Sequence, residues 1–387
     1  MDDSSKPTEA PLDLNTLRTA IQEHALWLKP AGNRRGKRAD LSFFNLSNQS
    51  LPGIALGGAK LAGANLSHAD LNRADLCRAD LFNADLTEST LTNAVLMGAD
   101  LRGAHLDGAK LAGANLRRAD LRKGVIVAEK HAVRPGINDG TTTLTAANLR
   151  RAIMIECRLT ESDLTGSDLV GADLSGADLT GAVLISADLA DAVVHNAQFT
   201  GAVLCGARLG EEVQRHLAKH NVDTDGGGLR PISADALSPL LEEHQRWVES
   251  LGEKGRRIEL DMVDLRGQSF AGMLLNGAVI RRSCLRGADF TGASLIMGEF
   301  AQCDLREAGF RGGDLSGCNL RTANLENACL ANASFDKVDV FGDGSRMWPT
   351  NLEYCRLVGA DLRGAKLWQA LLRGANLSGA QGVKREG

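Results

Sequence analysis

Residues 59 to 86 read AKLAG ANLSH ADLNR ADLCR ADLFN ADL, one five-residue phrase written again and again. Leucine holds every fifth position without a gap from Leu41 to Leu121, and Ile126 extends the column. Two residues before each leucine stands a small residue, usually alanine, as at Ala59, Ala64, Ala69, Ala74, Ala79 and Ala84. The residue between them is mostly Asp or Asn, as in Ala69-Asp70-Leu71 and Ala64-Asn65-Leu66. A period of five matches neither the 3.6-residue helix nor the alternation of an ordinary strand. It fits a chain that turns a corner every five residues. Alanine and leucine, two apart on an extended segment, then point to the same side. The intervening Asp or Asn and the last two residues point outward, where Gly, Asn, Ser and Arg suit a tight corner.

Four such corners close a square coil of about twenty residues, rising about 4.8 Å per coil. Phe270, Phe290 and Phe310 occupy the leucine slot at twenty-residue intervals, so the square coil predicts that they stack on one face. Leu71, Leu76, Leu101 and Leu174 are expected core residues on the same grounds. The composition agrees: aromatics are only 4% of the 387 residues, with a single Tyr and 43 Gly, which favours a narrow core of small and medium aliphatic side chains.

The A(D/N)Lxx phrase resembles the pentapeptide-repeat family over most of the chain. The resemblance implies an all-β solenoid, a right-handed quadrilateral β-helix. It leaves function open, because the family is functionally diverse. Some members, including quinolone-resistance proteins, are similar to B-form DNA in size and charge and bind DNA gyrase. The resemblance therefore implies, as an alternative role, a DNA-mimicking modulator or protector of that topoisomerase. Mimicry along the whole length wants a strongly acidic surface, whereas the formal net charge here is −4.

The phase of the leucine column divides the chain. It breaks over 127–143, resumes at Leu144 and runs to Leu209; a third phase runs from Leu260 to Val340 and a fourth from Leu352 to Leu377. Between Leu209 and Leu260 the repeat vanishes. Glu211 to His220 has helical character, and Ala234 to Leu251 reads as an amphipathic helix with Leu237, Leu240, Leu241, Val248 and Leu251 on one stripe. Ser238-Pro239 offers that helix an alternative start. The stretch around His24 and Trp27 before Gly36, and the stretch around His244 and Trp247 before Gly255, align as an internal duplication. An amphipathic helix laid over the open first coil of a solenoid would cover its core and its unpaired backbone. The expected organisation is thus two tandem solenoids, each with an N-terminal capping helix. It comprises a disordered tail at 1–12, a capping helix within 13–38 and a first solenoid at 39–209 with a loop insertion at 127–143. A helical linker and second cap at 210–256, a second solenoid at 257–380 broken at 341–350, and a tail at 381–387 complete it. His24, Trp27, His244 and Trp247 are expected cap residues, with the histidines bonding to the first coil.

Candidate sites are few. Cys157, Cys303, Cys318 and Cys355 take the alanine slot and read as small core residues. Cys77 and Cys205 face outward, and Cys284 and Cys329 take the Asp/Asn slot. With no CxxC pair and no clustered spacing, neither zinc nor a disulfide framework is expected. His216 and His220, with Glu212 a turn earlier, read as a solvated helix face. The run Asp163, Asp168, Asp173, Asp178 falls on successive faces of the square and so forms no acidic ladder. Basic residues such as Arg73, Arg78, Arg117 and Arg118 are scattered and lack interleaved aromatics, so nucleic-acid binding is not expected. Two register breaks remain as interaction loops: Lys130, His131 and Arg134 in the first, and Met347 and Trp348 in the second. No phosphate loop, HExxH or GxSxG motif occurs, so no enzyme and no cofactor or metal is expected. No signal peptide or membrane-spanning stretch is read, which points to a cytoplasmic, bacterial interaction or scaffolding protein with an unidentified protein partner. The last coil has no covering helix, which leaves an end-to-end homodimer open.

Overall fold

A computed structural model of the chain describes residues 14–29, 35–124, 140–225, 227–367 and 369–383. The N-terminal tail, most of the first insertion with Ile126, Lys130, His131 and Arg134, and the last four residues lie outside the described residues. The fold is a right-handed quadrilateral β-helix. Each five-residue phrase gives one side of the square, and outside the two insertions the Asp/Asn slot pairs in parallel with the slot twenty residues on, as Asp40 with Lys60 and Asp80 with Asp100. Leu41 N–H donates to the Lys60 carbonyl at 2.8 Å, Phe43 N–H to the Ala62 carbonyl at 2.9 Å, and Lys60 N–H to the Ala39 carbonyl at 3.0 Å, so three bonds join this side to the next coil.

The corner is a tight turn closed by the alanine-slot N–H on the preceding leucine carbonyl, as Ala59 on Leu56 at 3.0 Å. Its third residue lies in the left-handed region. Gly58 takes φ 70° without penalty, but Asn83 at 53° and Arg78 at 55° do so with a side chain. That costs about 1–2 kcal/mol per non-glycine corner, which the hydrogen bonds between coils must offset. Outward carboxylates tighten the same corner: Asp85 accepts from Thr87 N–H at 3.0 Å and Asp173 from Ser175 N–H at 3.0 Å. Asp163, Asp168, Asp173 and Asp178 each lie in a separate ladder, continuing to Val183, Asp188, Val193 and Gln198.

Inside, most alanine and leucine slots are buried, with Leu71, Leu76, Leu101 and Leu174 inaccessible to solvent. Phe270, Phe290 and Phe310 stack with ring centroids 4.8 Å apart, the spacing of adjacent coils. The four alanine-slot cysteines turn their thiols onto carbonyls of the coil before, as Cys157 to Leu116 at 2.8 Å and Cys355 to Leu320 at 2.8 Å. Burial pushes both thiols up to about 12.

The described residues gather into two compact units. The first is Met1–Val183, Ala187–Ala202 and Arg208–Val222; the second is Leu184–Ser186, Val203–Ala207 and Asp223–Gly387. Helix α1, Leu14–Trp27, belongs to the first, as does α2, Glu211–Lys219; α3, Ala234–Glu249, belongs to the second. In the first unit, His24 Nδ1 accepts from Ala39 N–H at 3.0 Å and stacks on Trp27 at 5.3 Å. In the second, His244 Nδ1 accepts from Ile258 N–H at 3.2 Å and stacks on Trp247 at 5.6 Å. The turn out of each helix demands glycine: a Cβ on Gly36 or Gly255 would fall 2.2 Å from the carbonyl oxygen of Glu23 or Glu243. Leu237 joins the core of the second unit and Leu241 packs against it.

Helix α3 starts at Ala234, where the amphipathic pattern begins, and not at the alternative Ser238: Ser233 Oγ accepts from Ala236 N–H at 3.2 Å, and Pro239 is carried inside the helix. Two expectations need correction. Leu240 and Leu251 are exposed, so the buried stripe is narrower than the sequence pattern. The third leucine phase ends at Phe335, because Val340 sits in an excursion from the wall.

Candidate interaction surface

The second register break, in the second unit, is a β-hairpin built by its own sequence. Val338–Asp339 pairs antiparallel with Met347–Trp348, Val338 opposite Trp348 and Asp339 opposite Met347. Val340 N–H donates to the Arg346 carbonyl at 3.0 Å and closes the ladder. The tip is Phe341-Gly342-Asp343-Gly344-Ser345, with Gly342 and Gly344 at φ 73° and 74°. The Asp339 carboxylate accepts from the N–H groups of Phe341, Gly342 and Gly344 at 3.2, 3.0 and 2.7 Å and fixes the turn. A hydrogen bond from Ser345 holds the Asp343 carboxyl below the usual carboxylate range.

This fixed hairpin leaves its large side chains in solvent. Phe341 is 65% exposed, Met347 46% and Trp348 42%, with the Arg346 guanidinium 5.6 Å over the indole. The base is seated on the wall at Gly317, where a Cβ would lie 2.8 Å from Met297 Sδ and 2.9 Å from Val338. Met347 and Trp348 were legible as candidates; Phe341 and Val340 were missed, because the leucine column was read one phrase too far. The other candidate loop, with Lys130, His131 and Arg134, lies outside the described residues. Its stems meet, since Gly124 N–H donates to the Gly140 carbonyl at 2.7 Å.

The remaining candidates separate cleanly. Within the first unit, His216 Nε2 lies 2.9 Å from the Ala197 carbonyl, His220 Nδ1 bonds the His216 carbonyl at 2.8 Å, and Glu212 pairs with His195 at 3.1 Å. The three do not converge. The cysteine reading needs correction. Cys205, expected on the outside, is buried and bonded to Cys284, with Asp304 beside both sulfurs. Pairing across 79 residues is invisible to local spacing. The ligand-type atoms of Cys205, Cys284 and Asp304 all lie within 4.8 Å of one another, the only such group among the described residues. No helix among the described residues is long and apolar enough to cross a membrane.

The family model described as Pentapeptide repeats matches in eight copies, at 39–76, 59–98, 79–118, 143–181, 167–206, 259–295, 300–340 and 350–381. No curated protein matches the chain. HetL, a pentapeptide repeat protein involved in heterocyst differentiation regulation from Nostoc sp. strain PCC 7120, is 24% identical over 87% of this chain and 90% of its own, with a TM-score of 0.33. QnrB1, a plasmid-mediated fluoroquinolone resistance protein, is 20% identical over 55% of this chain and 91% of its own, with a TM-score of 0.33. Rfr23 from the cyanobacterium Cyanothece 51142 is 21% identical over 44% of this chain and 90% of its own, with a TM-score of 0.20. With family matches along most of its length and parallel coils at the family's period, this chain belongs to the pentapeptide-repeat family.

Proposed function

We propose that this protein is a non-catalytic protein–protein interaction or scaffolding module of the cytoplasm, and that the hairpin Val338–Trp348 is its contact. The carrying observation is the exposure of Phe341, Met347 and Trp348 on a turn already fixed by Asp339. Large aromatic and thioether side chains held in place lose little entropy on binding and form the usual anchors of an interface. A second copy of the chain, meeting it end to end at the last coil, is the further partner of this reading.

The gyrase-directed alternative has less behind it. Many outward carboxylates are neutralised by an arginine two residues on, as Asp100 by Arg102, Asp120 by Arg122 and Asp361 by Arg363, at 2.6–2.7 Å. Such clips leave a mixed surface in place of the continuous negative one that mimicry needs.

A photo-crosslinking residue at position 341 tests the reading. It should give a discrete adduct in a native lysate, a residue at the outward position 117 should not, and Trp348→Ala should weaken the adduct at least tenfold with an unchanged circular dichroism spectrum. Equal labelling from both positions would sink it.

A further inference from the structure

Asp304 stands out among the Asp-x-Arg clips of this fold. Asp100, Asp120, Asp264 and Asp361 keep 33%, 19%, 20% and 20% of their side chains in solvent, whereas Asp304 keeps 0%. What covers it, within the second unit, is sulfur: Oδ2 lies 3.2 Å from Cys205 Sγ and 3.7 Å from Cys284 Sγ. Arg306 reaches both oxygens, Nε to Oδ1 and Nη2 to Oδ2, each at 2.8 Å. The two Cα atoms are 6.4 Å apart, inside the range that a disulfide bridges.

A buried carboxylate distinguishes the two oxidation states of this pair. As thiols, Cys205 and Cys284 can both donate to Oδ2 and complete its hydrogen bonding. As a disulfide, neither sulfur has a proton to give, and the carboxylate faces sulfur lone pairs in a site closed to water. A cation in the same place would compete with the guanidinium that already holds both oxygens. The other buried cysteines, Cys157, Cys303, Cys318 and Cys355, turn to backbone carbonyls and have no second sulfur bonded to them.

We propose that Cys205 and Cys284 form a reversible redox pair that Asp304 poises toward the dithiol. Closure proceeds by exchange with a low-molecular-weight disulfide. One cysteine thiolate attacks it and expels a thiolate, and the second cysteine then displaces the other half from the mixed disulfide. Two electrons pass from the pair to the reagent, which leaves as two thiols carrying the two cysteine protons. Because both sulfurs are closed to solvent, exchange runs through local opening and is slow beside alkylation of the accessible Cys77. A pair poised in this way suits a reducing compartment, where lasting disulfides are rare and reversible ones report the redox state.

The test equilibrates the full chain in glutathione buffers spanning reduced to oxidised, traps it with an alkylating reagent and reads the 205 and 284 peptides by mass. In the wild type the pair should change from dithiol to disulfide within that range, with Cys157, Cys303, Cys318 and Cys355 remaining thiols. Asp304→Asn, a weaker acceptor that can itself donate to sulfur, should shift the equilibrium toward the disulfide by about tenfold; Asp264→Asn, the same clip without sulfur, should not. Four results would overturn the proposal: a pair that stays open or stays closed in every buffer, an Asp304→Asn equilibrium like the wild type's, an equal shift in Asp264→Asn, or stoichiometric zinc on the reduced protein that Cys284→Ser abolishes. The wild-type titration stands alone if the Asp304 variant fails to fold.

Discussion

Thr142 and Thr350 hold the same station in two different coils. Each fills the alanine slot on re-entry from an insertion, after which the pairing partner is not twenty residues on: His105 pairs with Thr143, and Asn319 with Asn351. The Thr142 hydroxyl accepts from Gly103 N–H at 2.8 Å and lies 2.7 Å from the Arg122 carbonyl and 3.4 Å from that of Leu101. The Thr350 hydroxyl accepts from Gly317 N–H at 3.0 Å and lies 3.0 Å from the Leu315 carbonyl and 3.5 Å from that of Asp336. In an unbroken coil the glycine N–H would donate straight to the carbonyl nineteen residues on, as Gly98 does to Arg117; at Gly103 the Thr142 hydroxyl bridges the gap that the insertion opens, and at Gly317 the Thr350 hydroxyl supplements that bond. Thr142→Val should therefore orphan a buried N–H and a carbonyl and cost about 1–3 kcal/mol. Thr350→Val should cost less, because Gly317 N–H still reaches the Asp336 carbonyl at 3.1 Å. Urea unfolding of the two variants checks the order, and a reversed order would refute the bridging role. The sequence carried this signal, a threonine in the alanine slot right after each break, but only the paired backbone shows what it bridges.

Helices α1 and α3 each rest on one buried histidine, and that makes their seating sensitive to acid. Burial pushes both imidazoles below their ordinary value; Arg38 acts in the same direction on His24 and Arg257 on His244, while Asp75 and the Gly57 and Leu275 backbones pull the other way. The folded chain thus prefers neutral rings whose Nδ1 accepts from Ala39 and Ile258. Their contribution is complete above the unfolded value of about 6.5 and declines as pH falls from there toward the depressed folded value, since the unfolded chain then binds more protons. Urea midpoints should drop between pH 7.5 and 5.5, and the drop should shrink in a His24→Gln, His244→Gln double variant. An unchanged slope would contradict the assignment. The hairpin behaves as a separate element: Asp339→Ala should strip protection from the Gly344 amide and admit protease at the tip, while the global midpoint moves by less than about 0.5 kcal/mol. Among these elements the coils were the most legible, because the Ala-x-Leu spacing states which side chains share a face. The start of α3 at Ala234 was legible in the amphipathic pattern; Pro239 offered a rival first turn, but the Ser233 cap and the buried Leu237 carry the helix through it. The hairpin was hidden in part because Val340 keeps the five-residue beat after the chain has left the wall.

At the scale of the molecule, the open question that the fold poses is where a stack of coils stops. In the second unit Leu352, Leu357 and Leu362 donate their N–H groups to Leu371, Asn376 and Gln381. Among the described residues no further coil follows to accept from Leu372 and Leu377, and Leu367, Leu372, Leu377 and Val383 are only partly buried against the core. The end-to-end pairing proposed above would set this edge against the same edge of a second copy about a two-fold axis, which would bury both faces at once and close the assembly. The chain should then sediment at twice its 41.0 kDa mass at micromolar concentration, and Leu377→Arg should return it to the single mass with an unchanged melting transition. Leu377 suits the test because its side chain is only partly packed, so a charge there loads the contact between copies far more than the coil beneath. A wild type that stays at the single mass up to about 100 µM, a concentration at which even a weak self-association would register, would show that the last coil ends in solvent without a partner copy.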